Sequence, residues 1–343
     1  MNKVVVLNAK KMNYDGNLDF SVLSENTVVY DDTNADQVLE RIQDATVVVT
    51  KEMPVPAEMI NAFPDSVKLI CEAGTGYNNI AIDVARERGI TVCNVPAYSS
   101  ERVAHTAVMM MLNLASTMQV QIKMLANGDH RNFTDHLMVP HVELNGKTLG
   151  VIGAGNIGRQ VIKVGQALGM KVIAYNRSPR EDEENLHFDT LENVLKESDF
   201  VSLHCPLTDA TRHMINEDTL KLMKPSAFLI NTARGGLIDE PALIKALKEN
   251  RISGAGLDVQ EQEPPSEDNL LYTLENVILT PHIGWRGFET RQRLVSVVVL
   301  DVELELLAHA GGHAALLLGE LGDLLAVHVH VDAADGLQLL AVG

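Results

Sequence analysis

An arginine, a glutamate and a histidine in the second half of the chain have the residue types needed to deliver a proton to a carbonyl while holding an acid beside it. Each follows a short apolar run that reads as a buried strand. Ala227–Asn231 leads into Thr232-Ala-Arg234-Gly-Gly, Gly254–Asp258 into Val-Gln-Glu-Gln-Glu263-Pro, and Val277–Thr280 into Pro-His282-Ile-Gly-Trp285. The fork of Arg234 can hold carboxylate and carbonyl oxygens and stays charged throughout. When hydride reaches a carbonyl carbon, negative charge grows on the oxygen, and a protonated imidazole at His282 can supply the proton. A carboxylate at Glu263 beside that ring would favour its charged form, raise its pKa and fix its orientation. Singly, each has a duller explanation: Arg234 a helix-entry charge, Asp258 a helix cap, Glu263 a loop acid before Pro264, His282 a turn residue. Brought to one sheet edge, they match the reduction of a 2-keto acid.

Hydride needs a carrier, and Thr148–Ile152 followed by Gly153-Ala-Gly155-Asn156-Ile157-Gly158 reads as strand, glycine turn and helix. In a dinucleotide site Gly153 lets the chain turn, Gly155 admits a pyrophosphate, and Gly158 lets helix and strand pack closely. The unpaired N–H groups at the helix start then face the phosphates. The next strand, Lys171–Tyr175, ends at Asn176-Arg177-Ser178, where an NAD enzyme would carry an acid for the ribose 2′-hydroxyl. An amide there does not repel a 2′-phosphate, and Arg177, with Arg180 and Arg159 as further candidates, suits one. NADP(H) is therefore favoured over NAD(H).

The elements around these residues alternate. Val4–Leu7, Val28–Tyr30, Thr46–Thr50, Val67–Cys71 and Thr91–Asn94 read as strands, with helices at Ala35–Ile42, Ala57–Ala62 and Ile82–Arg88. The second half adds Thr148–Ile152, Lys171–Tyr175, Phe200–His204 and the three strands above, a six-strand doubly wound set. Between the halves lies a long helix from about Glu101 to Ala126, capped by Ser100, its methionines Met109, Met110, Met111 and Met118 serving as core and its His105 as a buried, satisfied imidazole. The loop Glu72-Ala73-Gly74-Thr75-Gly76 follows a strand at the sheet's carboxyl edge, and its glycines permit a nest of N–H groups suited to a carboxylate. The fold class is thus α/β, with two doubly wound parallel-sheet domains. One is a substrate domain of residues 1–98 and 283–343, and inserted in it is a dinucleotide-binding domain of residues 99–282.

Composition narrows the function classes. At 343 residues there is room for two cores, and a net charge of −18 argues against nucleic acid or acidic membranes as partners. The apolar start is too short for a signal peptide and no later stretch is clean enough to span a bilayer, so a cytoplasmic protein is expected. Cys71, Cys93 and Cys205 are scattered, and His130, His136 and His141 lack ligand spacing, so no metal is expected.

These motifs together resemble those of the D-isomer-specific 2-hydroxyacid dehydrogenases, in the branch of glycerate dehydrogenase and hydroxypyruvate or glyoxylate reductase. The resemblance runs from about residue 40 to Arg293 and rests on Gly153–Gly158, His204-Cys-Pro-Leu-Thr208, Asn231-Thr-Ala-Arg-Gly-Gly236, Gly256-Leu-Asp-Val with Glu263-Pro264, and Pro281-His-Ile-Gly-Trp285. It implies a Rossmann domain inserted in a flavodoxin-like one, with Arg234 binding substrate, His282 donating the proton and Glu263 as its partner. It also implies cofactor contacts at Asn156, Ile157 and Asn176, at His204, Cys205, Pro206 and Thr208, and at Thr232, Ala233 and Arg234. Further contacts are implied at Asp258 towards the nicotinamide carboxamide and near His282 and Gly284, with the substrate carboxylate held by Ala73–Gly76. Homodimers are implied as well.

Three departures stand out. Val103-Ala-His105-Thr106 is one residue shorter than the family form, Asn176 replaces the acid, and the tail from Leu294 uses only nine residue types, without lysine, arginine, proline or aromatics. That tail, 294–343, loses its pattern after about Leu307 and reads as a frame-shifted or artificially joined segment. A nucleotide-sensing interaction protein on the same fold, like the dehydrogenase-related corepressors, is the alternative function. Formate oxidation is disfavoured because that branch carries an amide where Glu263 stands.

Overall fold

Val4–Val6, Val47–Thr50 and Leu69–Glu72 lack the apolar–polar alternation of a half-exposed strand, so they need cover on both faces. In the computed structural model, which describes residues 3–309 and side chains as far as Glu303, they form the inner strands of a five-stranded parallel sheet. With β1 (Val4–Val6), β2 (Thr27–Val29), β3 (Val47–Thr50), β4 (Leu69–Glu72) and β5 (Thr91–Asn94), the order is β2-β1-β3-β4-β5. That is the flavodoxin-like arrangement. Val5, Val48 and Ile70 pack with Ile42, Ile60 and Phe63 of the connecting segments. The expected helix at Ala35–Ile42 is a 3₁₀ turn, Ala35–Gln37, continuing into one α-turn, Val38–Arg41.

The second sheet has seven strands: β6 (Thr148–Ile152), β7 (Lys171–Tyr175), β8 (His187–Phe188), β9 (Phe200–Leu203), β10 (Phe228–Asn231), β11 (Gly254–Leu257) and β12 (Val277–Leu279). Their order is β12-β11-β10-β9-β6-β7-β8, all parallel, so the winding reverses beside β6. Ligands of such sheets bind at the carboxyl ends next to that reversal. β8 is a seventh strand beyond the expected six, and its two residues are too few to show a period.

The long helix also differs from expectation. It runs Ser100–Ala115, breaks at Thr117 in the left-handed region (φ +47°), and resumes as Met118–Ala126. The N-cap is Ser99, and no side chain caps the helix. Met110 and Met111 are buried against the sheet, Met110 lying so close to Gly256 that a methyl group there would meet it. Met118 is exposed, and so is His105, which shares the outward face with Leu112. His130, His136 and His141 are on the surface.

The chain divides into one unit of residues up to Tyr98 and from Arg286 on, and a second of Ser99–Trp285. The second crossing falls after Trp285, not after His282, because Asp258 binds the backbone N–H groups of His282, Ile283 and Gly284. Residues 310–343 of the atypical tail lie outside the described residues; 294–309 belong to the helix Phe288–His309. Among the described residues no helix is long and apolar enough to cross a membrane.

Within the first unit Arg291 anchors that helix. Its buried guanidinium donates to the Met12 carbonyl (2.9 Å) and to both Asp15 oxygens (2.9 and 2.6 Å), and stacks on Tyr14. Arg291 beside Asp15 holds that carboxyl well below the usual range. A depressed folded-state pKa gives stability that is complete above the unfolded value, about 4, and is lost as pH falls through the folded one. Arg291→Met should lower the thermal midpoint by several degrees at neutral pH and flatten the acid limb of a stability–pH curve. Asp15→Asn, which leaves the Met12 bond in place, should cost less.

Candidate active site

Gly153 ends β6 at φ +98°, and a Cβ there would stand 2.7 Å from the Cys205 nitrogen and 2.8 Å from the His204 carbonyl carbon. Only glycine lets the loop lie this close to the end of β9. Gly158 is equally constrained, by the Gly153 carbonyl, whereas the space above Gly155 is open. That opening faces the start of the helix Asn156–Ala167, which no side chain caps. An anionic ligand finds uncapped N–H groups and room for its backbone approach there.

The neighbouring strand ends add polar atoms awaiting a partner. His204 Nε2 meets Ser202 Oγ at 2.8 Å, but its Nδ1 is buried without a hydrogen bond among the described residues, as is Thr232 Oγ1 just past the end of the adjacent strand β10. Burial pushes the His204 imidazole down to about 3, keeping it neutral, and pushes the Cys205 thiol up to about 11. Orphaned polar atoms of this kind fit a polar ligand that the chain itself does not supply. At the end of β7, Asn176 spends its Oδ1 on the Ala154 N–H (2.8 Å), bracing the glycine turn. Arg177, Ser178 and Arg180 are exposed, while Arg159 is held by Glu183.

Arg234, Glu263 and His282 follow β10, β11 and β12, three neighbours in the sheet. His282 Nδ1 lies 2.8 Å from Glu263 Oε2, and Glu263 Oε1 accepts from the Gln260 N–H at 3.0 Å. Gly235 has the Gln260 carbonyl where a side chain would begin, so the arginine and glutamate loops touch by backbone alone. Asn231, whose part the sequence reading missed, shapes the arginine loop: its amide donates to the Arg234 carbonyl (2.9 Å) and accepts from the Ala233 N–H (3.0 Å). The Arg234 guanidinium is exposed and donates to the Ala233 carbonyl.

His282 sits at φ +51°, uncommon for a residue other than glycine, and its N–H is held by the Asp258 carbonyl at 2.8 Å. The Asp258 carboxylate is buried and fully engaged. Oδ1 accepts from Thr280 Oγ1 (2.5 Å) and the Ile283 N–H (2.9 Å), and Oδ2 from the Gly284 N–H (2.8 Å). Asp258 thus braces the histidine turn. Hydrogen bonds to a carboxylate are among the stronger kind, so this group sets the turn.

In the other unit, the loop after β4 offers a smaller nest than expected. The Ala73 N–H goes to the Thr50 carbonyl (2.7 Å) and that of Gly74 to Glu72 (2.7 Å). The N–H groups of Thr75 and Gly76 have no acceptor among the described residues. Behind the loop, Glu72 is buried and accepts from Thr50 Oγ1, Asn79 and the Glu52 N–H, burial raising its carboxyl above the ordinary value. Lys51 Nζ pairs with Glu52 at 2.8 Å.

The sequence model described as D-isomer specific 2-hydroxyacid dehydrogenase, NAD binding domain, matches residues 108–284. The chain belongs to this family. It is 36% identical over 310 residues to the hydroxypyruvate reductase of Blautia hydrogenotrophica, covering 88% of this chain and 96% of that protein. Among solved structures, a glyoxylate reductase from Paecilomyes thermophila is 31% identical with a TM-score of 0.75, over 88% of this chain and 94% of that one. An acyclic imino acid reductase in complex with NADPH and D-Arg is 29% identical with a TM-score of 0.78, over 89% and 97%. As a D-2-hydroxyacid dehydrogenase the chain is an oxidoreductase acting on a CH–OH group with a nicotinamide cofactor, and the glycine turn and the orphaned strand-end atoms fit that cofactor. Among the described residues no group of three or more histidine, cysteine or acidic side chains is placed to hold a metal ion.

Because Asp258 braces the turn that carries His282, Asp258→Asn keeps the side chain's size but loses an acceptor. Its kcat should fall about 10–100-fold, the usual cost of losing a supporting bond, with little change in the dissociation constant of NAD(P)H. A steady-state and binding comparison checks this.

Proposed function

We propose that this dehydrogenase reduces a small 2-keto acid, glyoxylate or hydroxypyruvate being the leading candidates, to the D-2-hydroxy acid, with NADP(H) favoured over NAD(H). The observation that carries the reading is the 2.8 Å contact between His282 Nδ1 and Glu263, which leaves Nε2 as the nitrogen without a partner among the described residues. Curated relatives carry the corresponding names, hydroxypyruvate reductase and glyoxylate reductase.

The bound dinucleotide supplies hydride to the carbonyl carbon. Its holders would be Gly153, Gly155, Asn156, Ile157 and Gly158 at the phosphates and Asn176, Arg177 and Ser178 at the ribose. His204, Cys205, Pro206 and Thr208 would line it, with Thr232, Ala233, Arg234, Asp258, His282 and Gly284 towards the nicotinamide. Glu263 fixes the ring through Nδ1, so Nε2 presents the proton to the developing alkoxide. Arg234 draws the carbonyl oxygen's charge and holds the acid. In the first unit the Thr75 and Gly76 N–H groups remain as donors suited to a carboxylate, beside the committed N–H groups of Ala73 and Gly74. For oxidation the same groups act in reverse.

In the second unit Leu112, Met118, Ile122, Leu125 and Phe133 are exposed, Phe133 to 79%, and Met118, Ile122 and Leu125 share one face of the helix Met118–Ala126. A patch of this kind on an otherwise charged chain marks an association surface, and we assign it to a homodimer.

With glyoxylate, hydroxypyruvate and a bulkier 2-keto acid, each tested with NADH and NADPH, turnover should be highest with a small acid and NADPH; no oxidation of either cofactor would sink the reading. His282→Ala should lower kcat about 10²–10⁴-fold, the worth of a general acid, and leave cofactor affinity nearly unchanged. Light scattering should give a dimer for the wild type and a monomer for Ile122→Glu/Phe133→Glu.

A further inference from the structure

Three arginines stand near the end of β7: Arg159 in the first turn of the helix Asn156–Ala167, and Arg177 and Arg180 in the loop after the strand. The same loop carries four acids, Glu181–Glu184. Asp182 is taken by His187 and the Phe188 N–H. Glu183 is different: it grips Arg159 with both oxygens, Oε1 at 2.6 Å from one terminal nitrogen and Oε2 on the other.

The glutamate is the fixed partner of this pair. Its N–H and carbonyl both bond to Leu186, which is buried in the core. Arg159, by contrast, reaches out from the helix, and its planar fork would suit a phosphate as well as a carboxylate. Both side chains are partly exposed, so the pair is of the weak, screened kind that another anion can compete for.

We propose that Glu183 sets the cofactor discrimination: by clamping Arg159 it withholds a guanidinium from a 2′-phosphate on the adenosine ribose and places a carboxylate near that phosphate. The proposal rests on the reading of Gly153–Gly158 as a dinucleotide turn. A ribose bearing a hydroxyl at that position is indifferent to the clamp, whereas a phosphate must break it. Asn176 contributes no charge either way, and its Oδ1 is already spent on Ala154. Arg177 and Arg180 alone then give the preference for NADP(H), and Glu183 caps it.

The test is equilibrium binding of NADPH and NADH, read by nicotinamide fluorescence, on the full chain as wild type, Glu183→Gln, Arg159→Gln and the double variant. Glu183→Gln should bind NADPH about two- to fivefold more tightly, the scale of one released partly exposed ion pair, with NADH affinity held. The gain should vanish in the double variant. An unchanged NADPH affinity, a gain that survives without Arg159, or an equal loss of both affinities from Glu183→Gln would each overturn the proposal. A wild type that binds neither dinucleotide would instead bring down the reading beneath it.

Discussion

The buried carboxylate of Asp258 receives Thr280 Oγ1 and the N–H groups of Ile283 and Gly284, while its own carbonyl receives the N–H of His282. His282 needs that help, since a left-handed backbone costs a residue with a Cβ about 1–2 kcal/mol. The Asp258 N–H in turn bonds to the Asn231 carbonyl, and Asn231 shapes the loop of Arg234. One strand-end acid therefore ties the histidine turn to the arginine loop, and Gly235, flush with Gln260, ties that loop to Glu263. The separation of Arg234 from His282 in sequence is bridged by three neighbouring strands and by backbone contacts that tolerate little change.

The cofactor turn was legible because its signals are local. A strand run, three glycines and an apolar-periodic helix sit within one short stretch, and the structure gives Gly153 and Gly158 close neighbours that explain them. Arg234, Glu263 and His282 were legible by residue type and by their place after apolar runs. Asn231 and the orientation of Asp258 were not, because a hydrogen-bond partner three or twenty-five residues away leaves no periodic trace. His105 shows a different failure. Its neighbours in sequence are apolar, but residues 105, 109 and 112 share one helical face and 103, 104, 107 and 111 another, so phase, not neighbourhood, decides exposure. The break at Thr117 and the short β8 likewise depend on tertiary packing rather than on composition.

The loop after β4 shows how an apparent nest is reduced by the fold that builds it. A Cβ at position 74 would stand 2.9 Å from Lys51 Nζ and 3.3 Å from Glu72 Oε1, the ends of two side chains. The sheet spends the Ala73 N–H and a local turn that of Gly74, two of the four, and Glu72 is kept in place by three donors in spite of its burial. The free donors of such a loop are found by subtracting the bonds the sheet demands. Counting glycines alone overstates them.

Cys205 lies against the cofactor turn, with its backbone nitrogen close above Gly153. With its thiol pushed up to about 11, roughly one molecule in ten thousand carries the thiolate at neutral pH. Alkylating reagents and peroxides attack the thiolate, so a sulfur beside the working part of the molecule is chemically quiet. Modification at this sulfur is slowed for want of thiolate.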